Sequence, residues 1–140
     1  MNVNPYLFFN GQCEEAFKFY EKLLGGKILA MMSHEGTPAE SSVPADWRKK
    51  IIHARMIVGD QTIMGSDAPP PHQEKPQGFS VNLGFTDPAE AKRIFDALAD
   101  RGTVKMPFSE TFWAKGFGML VDRFGIPWMV NCEKVMEKAA

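Results

Sequence analysis

Cysteine is scarce in this chain. Cys13 and Cys132 are the only two in 140 residues, too few and too isolated for a disulfide framework or a zinc knuckle. They read as two reduced, partly buried thiols, with a single Cys13–Cys132 bridge as the alternative. An excess of one charge is also missing. Sixteen Lys and Arg stand against 17 Asp and Glu, and no run of like charge makes a patch that would attract a phosphate backbone. Nucleic acid is therefore not an expected partner. No uninterrupted apolar segment approaches the roughly 20 residues that span a bilayer, and Met1 to Pro5 lacks a basic stretch followed by an apolar one. The expectation is a cytoplasmic protein with no membrane partner. No Gly-rich loop follows a strand with an acidic residue behind it, so no nucleotide-type cofactor is indicated, and no cofactor is expected.

Material for a core is plentiful. Hydrophobic residues make up 44% of the chain, with 11 Phe, 9 Met and 3 Trp, which suffices for one domain of ordinary size. Pro5 to Phe9 is short and aromatic, as a buried strand should be, and Asn10-Gly11 ends it. From Glu14 the apolar residues Ala16, Phe17, Tyr20, Leu23 and Leu24 fall at helical spacing up to Gly25-Gly26. Extended segments follow at Lys27 to Ser33, Ile51 to Gly59 and Gln61 to Ser66, the last two joined through Gly59-Asp60 as in a hairpin.

The connector from Asp67 to Gly78 carries Pro69, Pro70, Pro71 and Pro76, which cannot continue a ladder. Beyond it the order repeats. Phe79 to Thr86 is extended, and Asp87-Pro88-Ala89-Glu90 predicts a helix start with Asp as cap, Pro at the first position and Glu90 closing a capping box. The stripe Ala91, Ile94, Phe95, Leu98 ends at Gly102, and extended segments follow near Thr103 to Pro107, Trp113 to Val121 and Pro127 to Asn131. An offset of 75 superposes Ala16 on Ala91, Tyr20 on Phe95, Leu23 on Leu98, Tyr6 on Val81 and Phe8 on Leu83. The expectation is one domain built of module 1 (about 3–67), a linker (68–78), module 2 (about 79–133) and a C-terminal tail.

Particular wording sharpens this: Pro5-Tyr6-Leu7-Phe8-Phe9-Asn10-Gly11 with Glu15-Ala16-Phe17 and Tyr20, His53-Ala54-Arg55, Met64-Gly65-Ser66-Asp67, and Phe112-Trp113 before Asp122-Arg123-Phe124-Gly125 and Trp128. Here the chain resembles the vicinal oxygen chelate superfamily of glyoxalase I, bleomycin- and fosfomycin-resistance proteins and extradiol dioxygenases, and within it the PhnB-like branch. The resemblance runs from about Val3 to Glu133. It implies an α+β fold of two βαβββ modules forming cupped mixed sheets, a homodimer, and a small-molecule ligand. Members of the branch are often labelled 3-demethylubiquinone methyltransferases, a label the missing cofactor loop speaks against. In metal-using members four ligands come from the first and last strand of each unit. Matching strand by strand puts these positions at Pro5, about Met64, Ser80 and Met129, which cannot supply hard oxygen or imidazole ligands, so no metal is expected there.

Alternation predicts the faces. Val81, Leu83 and Phe85 meet a helix, while Ser80, Asn82 and Gly84 line the concave side. Likewise Ile52, Ala54, Met56 and Val58 pack inward, and His53 and Arg55 share the opposite face. The expected groove is apolar with a few polar groups, formed by Leu7, Phe9, Met64, Ser80, Asn82, Trp113, Met129 and Asn131. Trp113, Phe117, Trp128 and the methionines read either as an aromatic cage or as ordinary core. His53 is the strand histidine with a pKa suited to proton transfer, set against the commoner structural role. Glu110, flanked by Phe108, Phe112 and Trp113, is a second proton-transfer candidate if desolvated, and otherwise an exposed loop carboxylate. Asp67 and Asp122 read as turn residues, and Glu35 to Lys50 as a lid or a plain excursion. Cys13 opens a helix without an adjoining partner, so nucleophilic catalysis is not expected. Three functions follow: a binding module for a small, partly aromatic molecule; a metal-independent enzyme of isomerase or lyase type acting on a carbonyl substrate; or a dimerisation or regulatory piece.

Overall fold

A computed structural model describes residues 1–134; the tail expected after module 2 lies, from residue 135 on, outside the described residues. The chain divides into two compact units, one from Met1 to Lys75 and one beginning at Pro76. The first runs β1 (Tyr6–Phe9), α1 (Cys13–Leu24), β2 (Lys27–Ser33), β3 (Ile51–Val58) and β4 (Gln61–Asp67); the second runs β5 (Val81–Gly84), α2 (Pro88–Ala99), β6 (Thr103–Ser109), β7 (Ala114–Val121) and β8 (Pro127–Glu133). Each is a four-stranded mixed sheet, in the order β1-β4-β3-β2 and β5-β8-β7-β6. The fold is therefore α+β with two βαβββ units, as the resemblance implied.

The first unit is organised around one carboxylate. Gln12 caps α1 without a side-chain hydrogen bond, and the exposed amides of the helix start are taken instead by Asp67 at the end of β4. Its Oδ1 accepts from the amides of Gly11 at 3.0 Å and Cys13 at 2.9 Å, and its Oδ2 from Ile51 at 2.8 Å. One buried side chain thus ties the β1–α1 turn, the first turn of the helix and the start of β3 to β4. This exceeds the turn role that sequence suggested. α1 stops at Gly25, whose φ of 67° places it in the left-handed region that glycine tolerates.

In the second unit Asp87 caps α2, accepting from the amide of Ala89 at 3.0 Å. Glu90 does not close a capping box. It pairs with Arg93 one turn on, and that hydrogen bond holds its carboxyl below the usual range. Asp122 has a part like that of Asp67: Oδ1 accepts from Phe124 and Ile126 and Oδ2 from the indole of Trp128 at 2.8 Å. The cores lie between sheet and helix. Phe9, Ala16, Phe17, Tyr20, Ala54 and Met56 fill the first, and Ala91, Ile94, Phe95, Leu98, Trp128 and Val130 the second.

The excursion from Glu35 to Lys50 contains two short 3-10 turns and is tied back onto the β1–α1 turn. Lys50 Nζ donates to the carbonyl of Gly11 at 2.9 Å, and Trp47 stands against the same glycine. It behaves as an anchored excursion, with its one aromatic ring engaged. Among the described residues no helix is long and apolar enough to cross a membrane.

Candidate functional site

Each sheet has one face on its helix and one turned away, and the second kind is where a ligand would meet side chains. In the second unit the helix face is fixed by Gly118, where a Cβ would stand 2.5 Å from Phe95 of α2. Gly118 pairs with Val130, so Trp128, Val130 and Cys132 look toward α2 and are wholly buried. Met129, Asn131 and Glu133 then look away. Asn82 pairs with Met129 and Gly84 with Asn131, so these four residues share the open face, with Phe117 and Met119 beside them on β7.

A cleft of about 390 Å³ lies here, lined by Asn82, Gly84, Phe85 and Thr86 on one side and Lys115, Asn131, Glu133 and Lys134 on the other. Gly84 is its most informative residue. The other strand glycines are explained by internal packing: a Cβ on Gly65 would press on Phe17, one on Gly116 on Phe108, and one on Gly118 on Phe95. Nothing lies within 4 Å of a Cβ on Gly84. Its missing side chain serves no neighbour in the protein and leaves space over the sheet.

The lining sets polar and charged side chains among the ring of Phe85 and the aliphatic stems of the lysines. Asn131 Nδ2 donates to Glu133 Oε1 at 3.2 Å, which orients the amide and leaves its buried Oδ1 without a hydrogen-bond partner among the described residues. Lys134 Nζ is 2.9 Å from Glu110 Oε2. Lys115 is the extra residue of a bulge between Ala114 and Gly116, which is why it escapes the strand's alternation.

The first unit's open face carries different chemistry. Tyr6 pairs with Met64 and Met64 with Arg55, and His53 lies on the same face as Arg55. Tyr6 Oη and His53 Nδ1 are 3.2 Å apart, with their rings stacked at a centroid distance of 5.8 Å. If the phenol donates to Nδ1, Nε2 carries the imidazole proton outward.

Of the residues expected to line a groove, Asn82 and Asn131 stand together in the cleft, with Met129 next to them on the same face. Met64 is on the open face of the first sheet. Ser80 is half-buried just before β5 and does not line the cleft. Trp113 is 37% exposed, in edge contact with Phe112 and Phe117, and its carbonyl accepts from Lys134. Leu7 and Phe9, expected in the groove, do not line one. Both are buried on the helix side, Phe9 with its ring against Phe17, because the open face of β1 belongs to Tyr6 and Phe8. Glu110 is exposed over 68% of its side chain and salt-bridged, so its flanking aromatics do not desolvate it. The Cys13 thiol is pushed up by burial and by the neighbouring Asp67, the reverse of activation. Both cysteines are free.

A metal fits poorly. Among the described residues no three His, Cys, Asp or Glu side chains gather closely enough to hold an ion, and Pro5, Met64, Ser80 and Met129 offer no suitable donor set. Sequence reading missed Thr86, Lys115, Glu133 and Lys134, and turned Phe85 toward the helix although it lines the cleft. Glu133 was available from the alternation continuing past Asn131, whereas the bulge that presents Lys115 has no signature in the sequence.

Comparison with known proteins agrees with this fold. The sequence model of the family described as 3-demethylubiquinone-9 3-methyltransferase matches residues 1–131. Protein YjdN of Escherichia coli (strain K12) is 37% identical over 142 residues, spanning 96% of this chain and 97% of that protein. The crystal structure of PA1353 from Pseudomonas aeruginosa is 48% identical with a TM-score of 0.86, over 95% of this chain and 98% of that one. For the fold alone, a PhnB protein from Bacillus cereus gives 0.81 at 24% identity, over 94% and 99% of the two chains. The fosfomycin resistance protein FosX from Listeria monocytogenes gives 0.66 at 6%, over 96% and 94%.

Proposed function

The chain belongs to the family described as 3-demethylubiquinone-9 3-methyltransferase, of PhnB type and vicinal-oxygen-chelate-like fold, and from that premise we propose that it binds a small organic molecule without a metal in the cleft over Gly84. The observation that supports this reading is the unfilled space above a strand glycine that no packing contact requires, beside two asparagine amides. A volume of about 390 Å³ suits a small ligand. The family description speaks of methyl transfer, but S-adenosylmethionine chemistry finds little support in this chain. No glycine-rich loop with a following acidic residue accompanies a strand here, and at the helix start after β1 the amides of Gly11 and Cys13 are taken by the Asp67 carboxylate. We place the protein in the cytoplasm as a homodimer; sedimentation that returns a stable monomer removes the second statement.

The test is a thermal-shift screen of small aromatic compounds, antibiotics and keto acids against the wild type and Gly84→Val. Ligands should stabilise the wild type by RT ln(1 + [L]/Kd) and lose that effect in the variant. Stabilisation that survives intact in Gly84→Val overturns the assignment to this cleft.

One observation favours a second reading, a metal-independent proton transfer on a carbonyl-bearing substrate. The Tyr6–His53 pair at 3.2 Å gives the imidazole an orienting partner, as a general base requires. On this reading His53→Ala abolishes turnover of a discovered substrate and Tyr6→Phe lowers it. Full activity in His53→Ala removes His53 from the chemistry.

A further inference from the structure

The cleft over Gly84 contains opposite charges that do not neutralise each other. Lys115 reaches it from the β7 bulge and Glu133 from the end of β8, and their strands are paired at that point through Ala114 and Glu133. Side chains so placed meet readily, yet among the described residues no ion pair joins them, and neither has an ion pair elsewhere. Lys134, also in the lining, is committed to Glu110. Among the described residues the one polar contact on the Glu133 carboxylate is the Asn131 amide, a neutral donor. The cleft therefore presents a neighbouring cation and anion along one side, not paired with each other among the described residues, facing the open space over Gly84 with the Asn82 amide across from them.

A single negative ligand would satisfy Lys115 and be repelled by Glu133, and a single positive ligand would meet the reverse. Two neighbouring opposite charges that do not pair with each other favour a ligand that carries both signs. We propose that the ligand of this cleft is a small zwitterion of amino-acid type, its carboxylate on Lys115 and its ammonium on Glu133, with any side chain lying over Gly84 toward Phe85. This rests on the cleft being the binding site, as argued above.

The experiment uses the full chain and four matched probes: L-phenylalanine, 3-phenylpropanoate (no ammonium), phenethylamine (no carboxylate) and 3-phenylpropanol (neither). Binding is followed by shifts of the Gly84 backbone amide and the Asn82 and Asn131 side-chain amides in 15N–1H spectra. Phenylalanine should bind at least about tenfold more tightly than each of the other three. Lys115→Gln should bring phenylalanine down to the level of phenethylamine, and Glu133→Gln to the level of 3-phenylpropanoate. Both residues are exposed, and spectra of each variant outside the cleft report that the fold is kept. Equal binding of phenylalanine and the neutral alcohol, insensitive to both variants but lost in Gly84→Val, overturns the zwitterion and leaves the binding site standing. No response of these three residues to any probe, together with screening hits unaffected by Gly84→Val, overturns both.

Discussion

Gly65 and Gly84 sit in extended strands of the two sheets, each beside the strand parallel to its own, and a methyl group added to either should act in opposite directions. At Gly65 the new Cβ stands 2.8 Å from the carbonyl oxygen of Leu7 and 2.8 Å from Cε1 of Phe17. The oxygen belongs to the β1 backbone and the ring is wholly buried, so neither yields easily. Such overpacking costs about 1–3 kcal/mol. At Gly84 the backbone is ordinarily extended and the Cβ meets nothing within 4 Å. Alanine there restricts the unfolded chain without native strain and should stabilise by about 0.4–1 kcal/mol. The two substitutions should therefore separate by about 1.5–4 kcal/mol, the sum of the two effects. For a chain of 140 residues each kcal/mol moves Tm by about 4 °C. Urea unfolding followed by tryptophan fluorescence, with the slope checked for constancy, measures both. A loss of stability in Gly84→Ala as large as that in Gly65→Ala would refute the claim that the space over Gly84 is unoccupied by the protein itself.

Asp67→Ala should cost at least about 3 kcal/mol, since three buried amides lose a charged acceptor at once; a loss under about 1 kcal/mol in denaturant unfolding would contradict its organising role. Trp128→Phe keeps an aromatic ring but removes the indole donor to Asp122 and leaves part of a fully buried site empty, and should lower stability by at least about 2 kcal/mol in the same assay. Cys13 titrates above its ordinary range in the folded state, so its contribution to stability is full below the unfolded thiol's pKa of about 8.5 and declines as pH rises beyond it. Stability should fall above about pH 8.5 in the wild type and fall less in Cys13→Ala, and identical alkaline limbs would contradict this. Ellman's reagent should find neither thiol in the native protein, because both are fully buried.

Much of this structure is legible in the residues, because the helices and most strands carry one-sided patterns. The stripe Ala91, Ile94, Phe95 and Leu98 is the buried face of α2, and the alternation of His53 and Arg55 against Ala54 and Met56 gives the faces of β3 as built. Legibility fails at β1. Tyr-Leu-Phe-Phe is apolar at every position, so its alternation has no phase, and the sequence pattern cannot tell Tyr6 and Phe8 from Leu7 and Phe9 as the open face. The offset of 75 compounds the ambiguity: it aligns α1 with α2 correctly, yet it sets Leu7, which faces its helix, on Asn82, which faces away. The candidate site suffers most, since it depends on a bulge at Lys115 and on space over Gly84. Neither leaves a mark on a pattern of polar and apolar letters.

The parallel pairing of β1 with β4 has a consequence during synthesis. Tyr6 leaves the ribosome well before its neighbour Met64 and the Asp67 carboxylate that secures the helix start, both of which lie in the last strand of that unit. Until then the parallel partner strand of β1 is missing and Leu7 and Phe9 have no sheet to join, so nascent chains arrested before Asp67 should be protease-sensitive in this unit and become resistant in a single step once it clears the exit tunnel.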